Sequence, residues 1–408
     1  MKKLLITFIT IAVLICTVTS AGASLLSPGL LILSEDDPMI MSGVIGKPIS
    51  FSSEDFCNHA GVDSYSAVTL NSVPSKSEGV LTIDENTLGE NHKISFSDSD
   101  RLVFTPAEGV CESSFTFTVG DGCTAKCTVI LTDELNLAPT ASSALTAIDT
   151  FSGMSISGHM IASDPEGDKL IYEVTDKPEL GEISYNKDTG SFTYTSDKTG
   201  NDSFTFRVKD SYGNYSEKAS VSLNISNNTT GITFSDMKDN GAYAAAVLMT
   251  DEGIFTSKEE SGNVFFEPSE NVSRLDFLVC TMNALGAANL PQVSSTGFHD
   301  DDNIPENAKS YVYSAAKLGI INGKKDADGN LYFDADGAIT RAEAAVILNN
   351  IIGYTAQCSY NTDEKLPVWA EDSLYAMHEL GILSASSPDA PLTKADCASL
   401  LYGLTSLI

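Results

Sequence analysis

Two periodicities divide this chain. Through its first half apolar and polar residues alternate, as in Phe204, Phe206 and Val208, the mark of a strand with one buried face. The segment occurs twice. Ser114-Phe115-Thr116-Phe117-x-Val119-x-Asp121 returns as Ser203-Phe204-Thr205-Phe206-x-Val208-x-Asp210. The strands before it also correspond, Leu102-Val103-Phe104-Thr105 with Ser191-Phe192-Thr193-Tyr194. Turn sequences such as Gly120-Asp121-Gly122, Asn186 to Gly190 and Asp210 to Asn214 punctuate the runs, and Val221, Leu223 and Ile225 supply a closing strand. Self-similarity of this kind predicts two tandem all-β sandwiches of about 100 residues each. They are expected over 38–135, which carries four cysteines, and 136–226.

Past the polar run at 226–231, helical spacing takes over. Tyr311, Ala315 and Leu318 fall on one predicted face with Gly319 placed as a C-terminal cap, and Ala344, Ile347, Leu348 and Ile351 mark the next helix. A pattern then recurs three times. Helices end at Gly253-Ile254-Phe255, Gly319-Ile320-Ile321 and Gly381-Ile382-Leu383, and second helices open at Ser273-Arg274-Leu275-Asp276, Thr340-Arg341-Ala342-Glu343 and Thr393-Lys394-Ala395-Asp396. Phe234-Ser235-Asp236 and Phe298-His299-Asp300 precede two of the copies. Helix pairs this short bury their apolar faces only by packing together, here as three pairs around a shared axis.

The opener's hydroxyl and acid form a capping box, which accounts for both. It does not account for the cation, since the helix dipole disfavours positive charge in a first turn. Two readings are open. A guanidinium fork at a helix N-terminus is a receptor for carboxylate or phosphate, or Arg341 pairs with an acid of the protein itself.

These repeats resemble the surface-layer homology (SLH) triplet, a family that holds exported bacterial proteins on the cell wall without a covalent bond. The resemblance implies a three-repeat, all-α bundle with pseudo-threefold arrangement, at 231–290, 295–354 and 358–408. It also implies grooves between repeats for secondary cell-wall polysaccharide, often ending in pyruvate ketals that carry a carboxylate. Carried over residue by residue, it assigns Arg341, Glu343 and Asp300 to the second repeat and Arg274 and Asp236 to the first. The third repeat offers Lys394, a point charge without a fork, and Trp369, the tryptophan expected after Phe-x-Asp. Only the second repeat has the full Ile-Thr-Arg-Ala-Glu, so one or two competent grooves are expected. Asp326-x-Asp328-Gly329-Asn330 lacks the glutamate of an EF-hand and fits the family's turn before its second helix.

Residues 136–226 also resemble bacterial cadherin-like or Ig-like repeats, through Asp164-Pro165-Glu166-Gly167-Asp168 and Gly200-Asn201-Asp202-Ser203-Phe204. Closely spaced carboxylates repel unless a cation sits among them, and hard oxygen ligands suit calcium. Asp164, Glu166, Asp168 and Asp210 are therefore candidate calcium ligands, with plain turn chemistry as the alternative.

Composition narrows the class. A formal net charge of -31 over 408 residues excludes the basic stripes that bind nucleic acid and disfavours anionic lipid. Lys2, Lys3 and the apolar Leu4 to Val18 before Ala21-Gly22-Ala23 read as a signal peptide over 1–23, followed by a linker at 24–37. No later stretch is long and apolar enough to span a bilayer. Export permits a disulfide among Cys57, Cys111, Cys123 and Cys127. No histidine falls in His-Glu-x-x-His spacing and there is no Gly-x-Ser-x-Gly, so no enzyme is expected. The sequence thus describes a secreted protein of the cell surface, wall or S-layer. It either displays its sandwiches as a stalk or adhesion module, or associates laterally as a self-assembling surface-layer subunit.

Overall fold

The computed structural model describes residues 38–122, 124–143, 147–356, 365–383 and 387–406. The expected signal peptide and linker, and Cys16, Cys123 and Cys358, lie outside the described residues. Two compact units emerge. The first holds 48–108 and 113–128, and the second holds 40–47, 109–112 and everything from Val129 onward.

In the first unit, strand Ala67–Leu70 lies between Lys93–Ser95 and Glu112–Val119, while Leu102–Pro106 lies between Ile49–Ser50 and Gly79–Ile83. Strict alternation turns Phe115, Phe117 and Val119 into the core. The tandem-repeat reading did not foresee helix α1 (Ser53–Ala60), opened by a Ser52/Asp55 capping box and closed by Gly61 at φ 63°. Its Phe56 packs edge-on against Phe117 at 5.2 Å. The expected bridge is not found among the described cysteines. Cys57, Cys111 and Cys127 are free thiols, for Cys127 is buried in the core while Cys111 stands exposed. A short helix α2 (Phe96–Ser99) completes the unit.

The second unit begins with the second sandwich. Strands Ile171–Asp176, Gly200–Lys209, Ala219–Ser226 and Ile148–Phe151 make one sheet, the last pairing in parallel. Strands Ile156–His159, Ser191–Thr195 and Glu182–Tyr185 make the facing sheet. Phe192 and Phe204 meet edge to face at 5.1 Å. Asp202 has a structural role. Its carboxylate accepts the N–H groups of Glu179, Leu180 and Gly181 and the hydroxyl of Tyr194 at 2.8 Å.

Among the described residues six α-helices follow: α3 (Tyr243–Asp251), α4 (Arg274–Ala284), α5 (Lys309–Lys317), α6 (Arg341–Ile352), α7 (Glu371–Glu379) and α8 (Lys394–Thr405). The region is not purely helical, because hairpins Lys258–Glu260/Asn263–Phe265 and Lys324–Lys325/Leu331–Tyr332 interrupt it. Gly319 sits at φ 74° past α5, and Ile320 N–H bonds back to the Ala315 carbonyl. The buried face of α5 is centred on Val312 and Ala315, so Leu318, expected inside, is 71% exposed.

The three openers meet in a closed ring. Val272 N–H donates to Leu392 O, Leu392 N–H to Ile339 O, and Ile339 N–H to Val272 O, all within 3.0 Å. Two residues on, Arg274, Arg341 and Lys394 donate their backbone N–H groups to the carbonyls of Gly337, Ala390 and Glu270. Side-chain caps from Ser273, Thr340 and Thr393 complete each helix start.

The sandwich of this unit is not a separate body from the helices. A continuous apolar core runs from Phe151 to Leu404. Ala244 N–H donates to Ser155 O at 3.0 Å, and the Tyr402 hydroxyl accepts Asp149 N–H at 2.7 Å. Gly241 permits the approach, since a Cβ there would fall 2.2 Å from Ser157 Oγ.

Candidate functional site

Two clefts are built on opener arginines. The first, about 680 Å³, is lined by Arg274, Ile320 to Lys325, Glu343, Val346, Ile347 and Trp369. Arg274 comes from the start of α4, Glu343 from the first turn of α6, and the loop Ile320 to Lys325 from the turn after α5. Arg274 is only 7% exposed. Burial holds its pKa below the ordinary arginine value, opposed by Glu343 and Asp334. Its guanidinium lies over the Phe333 ring at 5.5 Å and reaches Glu343 Oε2 at only 3.7 Å. Among the described residues its buried Nε has no hydrogen-bond partner.

Glu343 is held by other groups. Lys324 Nζ lies 2.8 Å from Glu343 Oε1 and 2.7 Å from Asp334 Oδ2, and Thr340 N–H caps on Glu343 Oε2 at 3.2 Å. Burial pulls the Lys324 pKa down, but these two carboxylates outweigh it and leave the pKa raised. The cleft therefore presents a loosely paired guanidinium beside a lysine already committed to acids. An incoming carboxylate could complete the fork on Arg274. Trp369, 61% exposed, offers an apolar edge of the kind sugars stack on.

The second cleft, about 820 Å³, has Arg341 on one wall with Leu380 to Leu383, Thr393 and Asp396. Its other wall is the second sandwich, through Ser157, Gly158, His159, Ile161 and Thr193. A Cβ on Gly381 would lie 2.9 Å from Ile161 Cγ1. His159 stays neutral down to about 4, chiefly through burial and secondarily through Arg341 beside it. His378 is lowered further to about 3 by burial and then by His159.

The grouping expected from sequence is thus redistributed. Arg341 and Glu343, neighbours on one helix, serve different clefts. Glu343 faces Arg274 of the preceding pair, because residues two apart on a helix point to different sides. Asp300 and Asp236 line neither cleft. The Asp300 oxygens accept Phe333 and Asp334 N–H at 2.7 and 2.8 Å, and those of Asp236 accept Phe266 and Glu267 N–H at 2.9 and 2.7 Å. They tie each Phe-x-Asp to the strand before the next opener. Lys394 donates to Thr256 O at 3.1 Å and lies 4.8 Å above the Phe266 ring, repeating Arg274 over Phe333. Lys324 and His159 went unread. For Lys324 the available signal was a cation directly after the turn Gly319 to Gly323. For His159 none existed, because its role depends on sandwich docking. Asp326 holds its own turn, accepting Asp328 and Asn330 N–H groups.

A second cluster lies on the second sandwich. Asp164, Glu166 and Asp168 bring carboxylate oxygens within 4.8 Å of one another. Asp164 Oδ1 accepts the Glu166 and Asp168 N–H groups, each at 3.0 Å. Asp164 Oδ2 and Asp168 Oδ2 are buried without a hydrogen-bond partner among the described residues. Burial raises Asp168 to about 6, helped by Asp164, Asp210 and Glu166. Two orphaned acceptors in one acidic cluster suit a hard cation. Asp210 is differently occupied, accepting Tyr212, Asn214 and Asn136 donors on its two oxygens.

Comparison with known proteins fits both halves. Residues 136–227 match the bacterial cadherin-like domain, and residues 297–345 match the S-layer homology domain. The chain thus carries an S-layer homology domain and a bacterial cadherin-like domain, and these features indicate a secreted protein of the cell surface or cell wall. A surface-layer 125 kDa protein of Lysinibacillus sphaericus is 31% identical over 151 residues, covering 36% of this chain and 12% of that protein. An exoglucanase XynX of Acetivibrio thermocellus is 33% identical over 134 residues, 32% of this chain and 12% of the enzyme. An amylopullulanase of Thermoanaerobacterium thermosulfurigenes is 32% identical over 134 residues, 32% of this chain and 7% of the enzyme. The chain therefore spans a small part of these relatives' length. The domains matched in it are non-catalytic in kind. No helix among the described residues is long and apolar enough to cross a membrane.

Proposed function

We propose that the protein is held non-covalently on the bacterial wall by its three helix pairs acting as an SLH triplet, and that it displays the β units outward as a stalk or adhesion module without catalysing a reaction. The ligand is an acidic wall polysaccharide, whose carboxylate docks on Arg274 while a sugar ring lies against Trp369. The observation that carries this reading is Arg274 itself, 93% buried by its 7% exposure, with an unsatisfied Nε at the wall of an open cleft. A buried cation so poorly paired costs stability unless a ligand repays it. The ring of backbone hydrogen bonds among Val272, Ile339 and Leu392 supports the pseudo-threefold triplet. The test is sedimentation of the mature chain with wall sacculi, before and after chemical removal of the non-peptidoglycan polymer. The reading requires co-sedimentation that disappears with the polymer.

Calcium is a second ligand that the orphaned oxygens favour. Asp164, Glu166 and Asp168 would hold it on the second sandwich, with Asp210 shaping the adjoining loop. Ligand binding at about 100 times Kd stabilises by about 2.7 kcal/mol, so calcium is expected to raise the melting temperature at pH 7.5 by several degrees. The rise should shrink below about pH 6, where Asp168 takes up a proton. An Asp164→Asn variant that responds to calcium as the wild type does would remove this assignment.

A further inference from the structure

We propose that the outer face of the second sandwich and the Arg341 cleft form one continuous site for an anionic polysaccharide, so that the sandwich is itself a binding wall. The proposal rests on the anchoring reading and extends it beyond the helices.

The two spaces are joined. The cleft of about 820 Å³ at Arg341 and a second groove of about 640 Å³ on the sandwich share Ser157, Gly158, His159 and Thr193. Strand register explains what lines the groove. Ile156, Tyr194 and Ile183 pair across the three strands, with Ile156 and Tyr194 in the sandwich core. The neighbouring row, Ser157, Thr193 and Ser184, therefore faces outward. His159 and Ser191 pair one step further along the same face. The outer surface is thus a ladder of hydroxyls and one imidazole, continued by Asn186 and Lys187.

Hydroxyls and amides that both donate and accept match the alternating demands of sugar hydroxyls. A cation stands at each end, Arg341 in the cleft and exposed Lys187 on the open groove. Two cations on one continuous surface suit a polymer with repeating carboxylates rather than one charged terminus. The imidazole of His159 stands at the junction in its neutral form, able to donate and accept without adding charge. The walls are fixed by close approaches at Gly241 and Gly381, which seat the sandwich without filling the space between. A cavity of this size lies within the range of about 300–1,000 Å³ usual for ligand sites.

The experiment uses the mature chain and peptidoglycan-free wall polysaccharide, native or carboxyl-reduced, in calorimetric titration. Lys187→Glu and Ser184→Trp alter exposed side chains away from the helices, so both variants should melt like the wild type. Each should weaken binding of the native polymer by about 2- to 5-fold, the range of a single exposed contact. On the carboxyl-reduced polymer Lys187→Glu should have no effect, whereas Ser184→Trp, which obstructs the hydroxyl ladder, should weaken binding as it does for the native polymer. If both bind as tightly as the wild type, or more tightly, while Arg274→Ala still weakens binding, the sandwich face is not a binding wall and anchoring stands alone. If Arg274→Ala also binds normally, the anchoring reading itself fails.

Discussion

Arg274 and Arg341 occupy the same place in two copies of one motif, yet they live in different surroundings. Each opens a helix behind a capping hydroxyl, and each donates its backbone N–H to the pair that follows. Arg274 looks into a cleft made by helices and loops alone, beside Glu343, Lys324 and Trp369. Arg341 looks into a cleft whose second wall comes from the sandwich. The helical repeat fixes where a cation stands, and whatever packs over the groove decides which ligand it can meet. Copies of one opener can therefore diverge cleft by cleft without any change in the ring of backbone hydrogen bonds that joins them.

That difference predicts unequal variants. Arg274→Ala removes a fork at a desolvated site, where losing one partner of a charge-assisted contact costs about 2–5 kcal/mol. Titration with wall polysaccharide should show a loss of at least about 30-fold. Arg274→Lys should recover little of it, because an ammonium cannot make the bidentate contact. Arg341→Ala should cost less, since the sandwich wall retains its own contacts. Equal losses from the two alanines would erase the distinction between the clefts.

The docking that creates the second cleft should break next most strongly. Gly241→Val drives a side chain into Ser157, and overpacking of this kind costs about 1–3 kcal/mol. Calorimetry should then show the sandwich and helices melting in two steps instead of one. Binding through Arg274 should survive.

Acidification gives a smaller effect on the same contact. An unfolded histidine titrates near about 6.5, whereas His159 remains neutral in the fold down to about 4 and His378 to about 3. The unfolded chain takes up protons first as pH falls, so stability from these groups is present above about 6.5 and drains away below it. Asp168, raised to about 6, acts in the opposite sense when no cation is bound. The comparison that isolates the histidine is wild type against His159→Asn, which should lose less melting temperature between pH 7.5 and pH 5.

The sequence reading reached different depths in the two halves. Strand alternation revealed the second sandwich because each strand buries one face only, as Phe204, Phe206 and Val208 do. The opener motif revealed the helix starts because capping is local and needs three or four residues. Grouping failed where geometry is not local. Glu343 was assigned to Arg341, its neighbour in sequence, but the start of α4 brings Arg274 to it instead. The aspartates of Phe-x-Asp were assigned to the grooves by the resemblance alone, whereas here their oxygens accept backbone N–H groups. Sandwich docking left almost no trace in sequence. It rests on two glycines, a tyrosine hydroxyl and a small-residue helix face, none unusual by itself.

The most direct measurement is titration of peptidoglycan-free wall polysaccharide into the mature wild-type chain, before and after its carboxylates are reduced to alcohols. If the fork of Arg274 receives a carboxylate, reduction should weaken wild-type binding at least to the level of Arg274→Ala and should weaken that variant less than it weakens the wild type. Equal affinity for native and reduced polymer would contradict the account.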